Sequence, residues 1–336
     1  MRAFEKAPPD VQDILSKPIR ELGLKLEGSP IERFVQKLYR ELERKGLRKF
    51  RPICYLTDEW GCPSGEPVIG IPFYLANPKL ARLEKEMNDL EDEHEIRMYL
   101  RHEAGHAFNY AYELYKTREW RDLFGPFRRP YREDYKPVPF SRGYVRHIEG
   151  WYAQKHPDED FAETFAVWLT PRSNWRRKYR GWGALAKLRY VDRMARRYRD
   201  VDPMRPQGHT DVTVEEMETT VADFYQKMLE LEPAPEGLAL ETDLEDIFVS
   251  RRRKKGIRPA ADLVRENRKT IIDKVAYWTG VQRPLVKKLV ESIQTRAAEL
   301  KLNADIRCER EHLTELTAYA TALAMSYLAR AKSAPS

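Results

Sequence analysis

EDEHEIRMYLRHEAGHAFNYAYELY, residues 91–115, contains no proline and a single glycine, and its spacing predicts one helix over the whole stretch. Within it, HEAGH sets His102 and His106 one helical turn apart, about 6 Å along the axis and on one face. Two neutral imidazoles at that spacing can share one Zn²⁺, and Glu103 points toward the open side, where a water would sit. A histidine pair on an amphipathic helix also occurs as a packed or solvated pair. Here Met98, Tyr99, Leu100, Ala104, Ala107 and Phe108 flank the motif, so the helix is expected to be buried. Buried polarity of that kind needs a partner, and a metal supplies one. The metal would acidify the water, and Glu103 would take its proton as it attacks a carbonyl.

A catalytic zinc needs a third protein ligand and one open position. Downstream, WYAQKHPDEDFAETFAVWL (residues 151–169) offers His156, Glu159, Asp160 and Glu163, with His147 just before it. His156 and Pro157 suit the start of a helix, which makes His156 a capping residue rather than a ligand. Glu159 and Glu163 then stand one turn apart on the same face. One can ligate while the other accepts the N–H of a ligating histidine. Asp160 points about 100° away from Glu159 on such a helix. His147 and Tyr144 lie upstream of Tyr152, as residues that either contact substrate or serve as packed structural groups.

HEAGH followed by this Glu-x-Phe-Ala-Glu helix resembles the bacterial zinc-binding metallopeptidases of the gluzincin type. It is similar to the catalytic domain of anthrax lethal factor and to related proline-specific endopeptidases. The resemblance covers roughly residues 30–195. It implies a zincin-like α+β domain and a zinc metallopeptidase activity. It further implies Glu159 as the third ligand beside His102 and His106, Glu163 as a supporting residue, and Tyr152 as the hydrogen-bond donor to the developing oxyanion. Family members often carry Asp three residues after the second His. Asn109 stands there in this chain, a side chain that hydrogen-bonds without adding charge.

The chain around these motifs is that of an ordinary globular protein. It has 336 residues, a net charge of +7, and no run of about twenty apolar residues that would span a membrane. Its first residues carry no apolar signal region, and Cys54, Cys62 and Cys308 form neither a disulfide framework nor a CxxC site, so a cytoplasmic location is expected. The five cations Arg251 to Lys255 lack interleaved aromatics and read as a solvated loop, so nucleic acid is not the expected partner. A peptide or protein substrate is.

Around the metal helix, residues 1–28 read as an irregular lead-in. SPIERFVQKLYRELERKG (29–46) reads as a helix capped by Ser29, with Pro30 in its first turn and Gly46 at its end. Phe50–Trp60 and Glu66–Ala76 read as strands of a small, partly antiparallel sheet. Pro72 marks the second as an edge on which an extended peptide can lie. The Pro-, Arg- and Tyr-rich stretch 125–144 reads as a long loop of the kind that forms lids. Residues 1–200 are expected to form the metallopeptidase domain and 201–336 a helical region. Two rival functions remain open: a zinc amidohydrolase acting on a narrow non-protein amide or peptide tag, and a basic binding protein without catalysis.

Overall fold

The computed structural model describes residues 12–87, 90–132, 135–230, 241–248 and 256–333. Two compact units result, one of Met1–Ile148 with Tyr152–Glu232 and one of Glu149–Trp151 with Pro233–Ser336. Both are rich in helix and carry little sheet. Among the described residues no helix is long and apolar enough to cross a membrane. The Arg251–Lys255 run lies outside the described residues.

In the first unit, helix α1 (Glu32–Arg44) buries Phe34, Val35, Leu38 and Leu42, as its spacing predicts. It begins later than expected. Ser29 does not cap it, because its hydroxyl donates back to the Leu26 carbonyl (2.6 Å), while the Glu32 carboxylate accepts the Gly28 N–H (2.7 Å). Gly46 ends the helix with a φ of +92°.

Strands β1 (Ile53–Thr57) and β2 (Val68–Pro72) pair in parallel, Ile53 opposite Val68 and Thr57 opposite Pro72. The small, partly antiparallel sheet expected from the sequence thus has a parallel main pair, and its antiparallel part is the bridge between Gly61 and Gly70. The connection reverses the chain direction by doubling back at Gly61, which exchanges two backbone hydrogen bonds with Gly70 (2.7 and 3.3 Å). Gly70 is required there, since a Cβ would lie 2.7 Å from the Thr57 methyl. The β2 edge expected to receive a peptide is occupied at Gly70 by the chain itself. All five residues of β2 are buried, and its outer edge is met by this chain's own Gly61.

Helix α2 (Glu93–Ala111) starts with a full capping box: Asp92 accepts the N–H groups of His94 and Glu95, and Glu95 accepts that of Asp92. It is buried continuously from Leu100 to Ala111. The helix stops four residues before the predicted end, because the Arg205 N–H takes the Ala111 carbonyl (3.1 Å) and Glu113 turns to a φ of +50°. Glu41 of α1 holds α2 through two hydrogen bonds from the buried Arg101 (2.7 and 2.8 Å).

Helix α3 (Pro157–Leu169) is buried at every position and crosses α2 at the motif's glycine. A Cβ on Gly105 would lie 2.7 Å from the Ala162 Cα and 2.9 Å from its carbonyl oxygen. This close approach of two backbones faces His102 and His106 toward Glu159 and Glu163. In an unhindered helix Gly→Ala gains up to about 1 kcal/mol. Here the obstruction is backbone, and overpacking of this kind costs about 1–3 kcal/mol. Gly105→Ala is therefore expected to lower the denaturation midpoint; an unchanged or raised midpoint would show that the helices have room to part.

Residues 201–230, expected to begin the helical region, belong to the first unit. Val214 donates to the Leu56 carbonyl (3.1 Å), and Ile19 and Arg20 donate to Thr219 and Met217 (3.0 and 3.1 Å). The same bonds order the described part of the lead-in. Helix α4 (Ala184–Arg197) completes the unit, joined to α3 by the buried pair Lys187–Asp160 at 2.5 Å.

The second unit packs Ala260–Thr279, Arg283–Glu299 and Glu309–Ser333 around Leu263, Ile272, Leu289, Ile293 and Leu316. A short antiparallel ribbon, Ile257–Pro259 with Asn303–Asp305, ties its helices together.

Candidate metal centre

Three side-chain atoms converge where α2 meets α3. His102 Nε2 and His106 Nε2 lie 3.1 Å apart, and Glu159 Oε2 lies 2.9 Å from the first and 3.3 Å from the second. A tetrahedral ion with ligands at 2.0–2.1 Å would separate its donors by about 3.3 Å. The triangle is close to that size. All three residues are buried, and among the described residues they are the one group of this kind.

The outer nitrogens decide which lone pairs face inward. His102 Nδ1 donates to Glu163 Oε1 (2.9 Å), and His106 Nδ1 donates to Asp158 Oδ2 (2.8 Å). With both Nδ1 protons committed to carboxylates, the neutral rings present bare Nε2 atoms to one point. Two such lone pairs and a carboxylate at this separation repel unless protons or a metal ion lie among them. The donor set thus fits a metal ion.

The supporting carboxylates are themselves tightly held. Glu163 is fully buried and takes the Ile148 N–H on its second oxygen (2.9 Å). Asp158 accepts the Asn109 amide (2.7 Å) and the Tyr110 hydroxyl as well as His106. Asn109 therefore acts on the site through Asp158. Asp158 escaped the sequence reading, where it stands as one of three consecutive acids in the first turn of a helix, a common arrangement for complementing the helix dipole.

Charge in the metal-free pocket follows the same contacts. Burial opposes the charged form of His102, but Glu159 and Glu163 outweigh it and raise its pKa to about 9. His106 is likewise held well above the usual imidazole range by Asp158 and Glu159 against the effect of burial. Burial works against the Glu159 carboxylate, yet the two imidazoles hold its pKa well below normal. Glu103 shifts the other way: burial raises it, partly countered by His102 and His106.

The triangle opens onto a cavity of about 650 Å³. Glu103 and Tyr152 line it, as do Trp60, Cys62, Phe127 and Tyr131. The Tyr152 ring lies 5.6 Å from that of His102, and its phenol is held protonated by burial and by the nearby Glu159. Tyr131 was not singled out in the sequence. It comes from the 125–144 loop, where no periodicity marks any one side chain.

The remaining candidates lie elsewhere. His147 does not line the cavity; its Nε2 donates to the Met98 carbonyl (3.1 Å), and burial lowers its pKa. Tyr144 is also off the cavity, with its ring 4.2 Å beneath the Lys187 ammonium. Neither is placed for the substrate contact considered for it. His156 caps α3, accepting the Asp158 N–H (3.2 Å) and donating to the Arg129 carbonyl (2.8 Å). Asp160 faces Lys187, as its angular offset predicts. No family model, curated protein or solved structure matches the chain, and the site stands on its own geometry as a buried His-His-Glu group able to hold a metal ion.

Proposed function

We propose that the chain is a zinc-dependent metallopeptidase with a zincin-like catalytic unit. The observation that carries this reading is the convergence of two Nδ1-anchored imidazoles and one carboxylate on a point beside Glu103, at the wall of an open cavity. Two nitrogens and one carboxylate oxygen with a fourth direction free is the donor set of a catalytic zinc. When bound, the metal supplies Lewis-acid chemistry toward water and the scissile carbonyl. Glu103 takes the proton of the attacking water and passes it to the leaving amine. Tyr152 keeps its phenol proton and donates it as a hydrogen bond to the oxygen that gains charge. A single donor in that role is worth on the order of 3 kcal/mol.

The 125–144 strap bears on substrate size. Phe127, Arg129 and Tyr131 of the strap line the cavity itself, which favours a narrow substrate, such as a peptide tag or small amide, over a folded protein.

Purified protein is expected to hold one zinc per chain and to cleave members of a mixed peptide pool. Chelation should stop cleavage and added zinc restore it. Protein that neither retains nor takes up zinc would end the metallopeptidase reading; zinc uptake without cleavage of peptides or small amides would leave a binding protein.

A further inference from the structure

We infer that Tyr131 is a positioning residue of the metal site, acting through Glu159 and Tyr152; the inference rests on the metal reading above. The segment carrying it leaves the helix Arg118–Phe124 at Gly125, whose φ is +108°. Phe127 seats against Tyr115 (4.3 Å) and Trp120 (6.0 Å). The Arg129 carbonyl accepts from His156 (2.8 Å). Farther on, Val138 exchanges two hydrogen bonds with the Gln154 side chain (2.8 and 3.0 Å). Between these anchors Tyr131 is 48% exposed, yet its hydroxyl reaches Glu159 Oε1 at 2.7 Å and the Tyr152 hydroxyl at 3.1 Å. Its ring lies under the Lys155 ammonium at 4.3 Å.

The protons in this chain can be assigned. Tyr131 has one to give, and the carboxylate of Glu159 facing two imidazoles can only accept. The Tyr131 proton therefore goes to Oε1, and the Tyr131 oxygen receives the proton of Tyr152. Two consequences follow. Oε1 is occupied, so Glu159 offers Oε2 alone to the metal and the fourth direction stays open. The Tyr152 hydroxyl is also held ready beside the site, to turn its proton to substrate when substrate arrives.

Tyr131→Phe tests this. It removes the hydroxyl and keeps the ring beneath Lys155, so the strap can still fold. Co²⁺ is the probe, because four-coordinate cobalt absorbs visible light far more strongly than cobalt of higher coordination. In Tyr131→Phe, Glu159 is free to bind through both oxygens. The visible band should weaken, and Co²⁺ affinity should fall about 10–100-fold, as for other groups that orient a ligand. The denaturation midpoint of Tyr131→Phe should stay at the wild-type value, since the ring and the strap anchors are untouched. Identical affinity and spectrum in Tyr131→Phe would overturn the inference while leaving the metal site intact. A spectral change accompanied by a lowered midpoint would also overturn it, by assigning the effect to strap order. Wild type that takes up no cobalt would remove the metal reading and this inference with it.

Discussion

Glu103→Gln is expected to leave zinc content unchanged and to lower kcat on a susceptible peptide by about 10²–10⁴-fold. The two halves of this outcome have separate causes. Glu103 takes no part in the ligating triangle, which is closed by His102, His106 and Glu159. Its loss therefore removes no donor. The Gln side chain has nearly the same shape, and burial already pushes Glu103 toward its neutral form, so the cost to folding is small. What disappears is the ability to accept a proton. A carboxylate whose pKa burial raises, against the pull of two imidazoles, takes up a proton more readily than an ordinary one. Such a group can take a proton from water in one step and return it to an amine in the next. Glutamine can do neither. Zinc analysis beside steady-state kinetics gives both readouts, and KM should change little. Full cleavage by Glu103→Gln would exclude Glu103 as the base; loss of zinc would show that it supports the ligands.

The parts of the site that the sequence made legible are those fixed by a single helix. Four-residue spacing places His102 with His106 and Glu159 with Glu163, and a rotation of about 100° per residue sends Asp160 elsewhere, toward Lys187. Asp158 is different. Whether it or its neighbours meet α2 depends on where two helices cross, and that is set by the contact of Gly105 with Ala162, which no periodicity encodes. Tyr131 sits in a stretch whose prolines suppress any period, so its reach to Glu159 exists only in three dimensions. The small sheet shows a similar division. Alternating apolar residues mark β1 and β2 as strands but are blind to direction, which Gly61 decides by folding back on Gly70. Residues 201–213 carry neither helical nor strand spacing, and the helical spacing that starts at Val214 becomes a helix only from Val221. Their place in the first unit is fixed by backbone bonds to β1 and to the lead-in, and backbone groups are the same in every sequence.

Zinc affinity is expected to fall by about 10²–10⁴-fold between pH 8 and pH 6, tenfold per pH unit for each proton the metal displaces. In the metal-free site His102 titrates near pH 9, and His106 is also raised, so at neutral pH the pair holds protons where the metal would bind. The two Nε2 atoms are 3.1 Å apart, and two imidazolium charges at that distance repel. The number of protons displaced therefore lies between one and two, which sets the range of slopes. Stability of the metal-free protein runs the opposite way. An imidazole whose pKa rises on folding from about 6.5 contributes stability that is fully present below pH 6.5 and is lost as pH climbs through about 9. The metal-free protein should thus melt at lower temperature as pH increases over that interval. Bound zinc adds RT ln(1 + [Zn]/Kd), which grows over the same interval as Kd falls. Melting curves recorded with chelator and with zinc should therefore diverge as pH rises from 6.5 to 9. Titration against a competing chelator at pH 6, 7 and 8 gives the slope, and calorimetry in buffers of different ionisation enthalpy counts the protons released. A flat affinity over this range would mean that the imidazoles are already bare in the metal-free protein, and that Glu159, Glu163 and Asp158 do not hold protons on them.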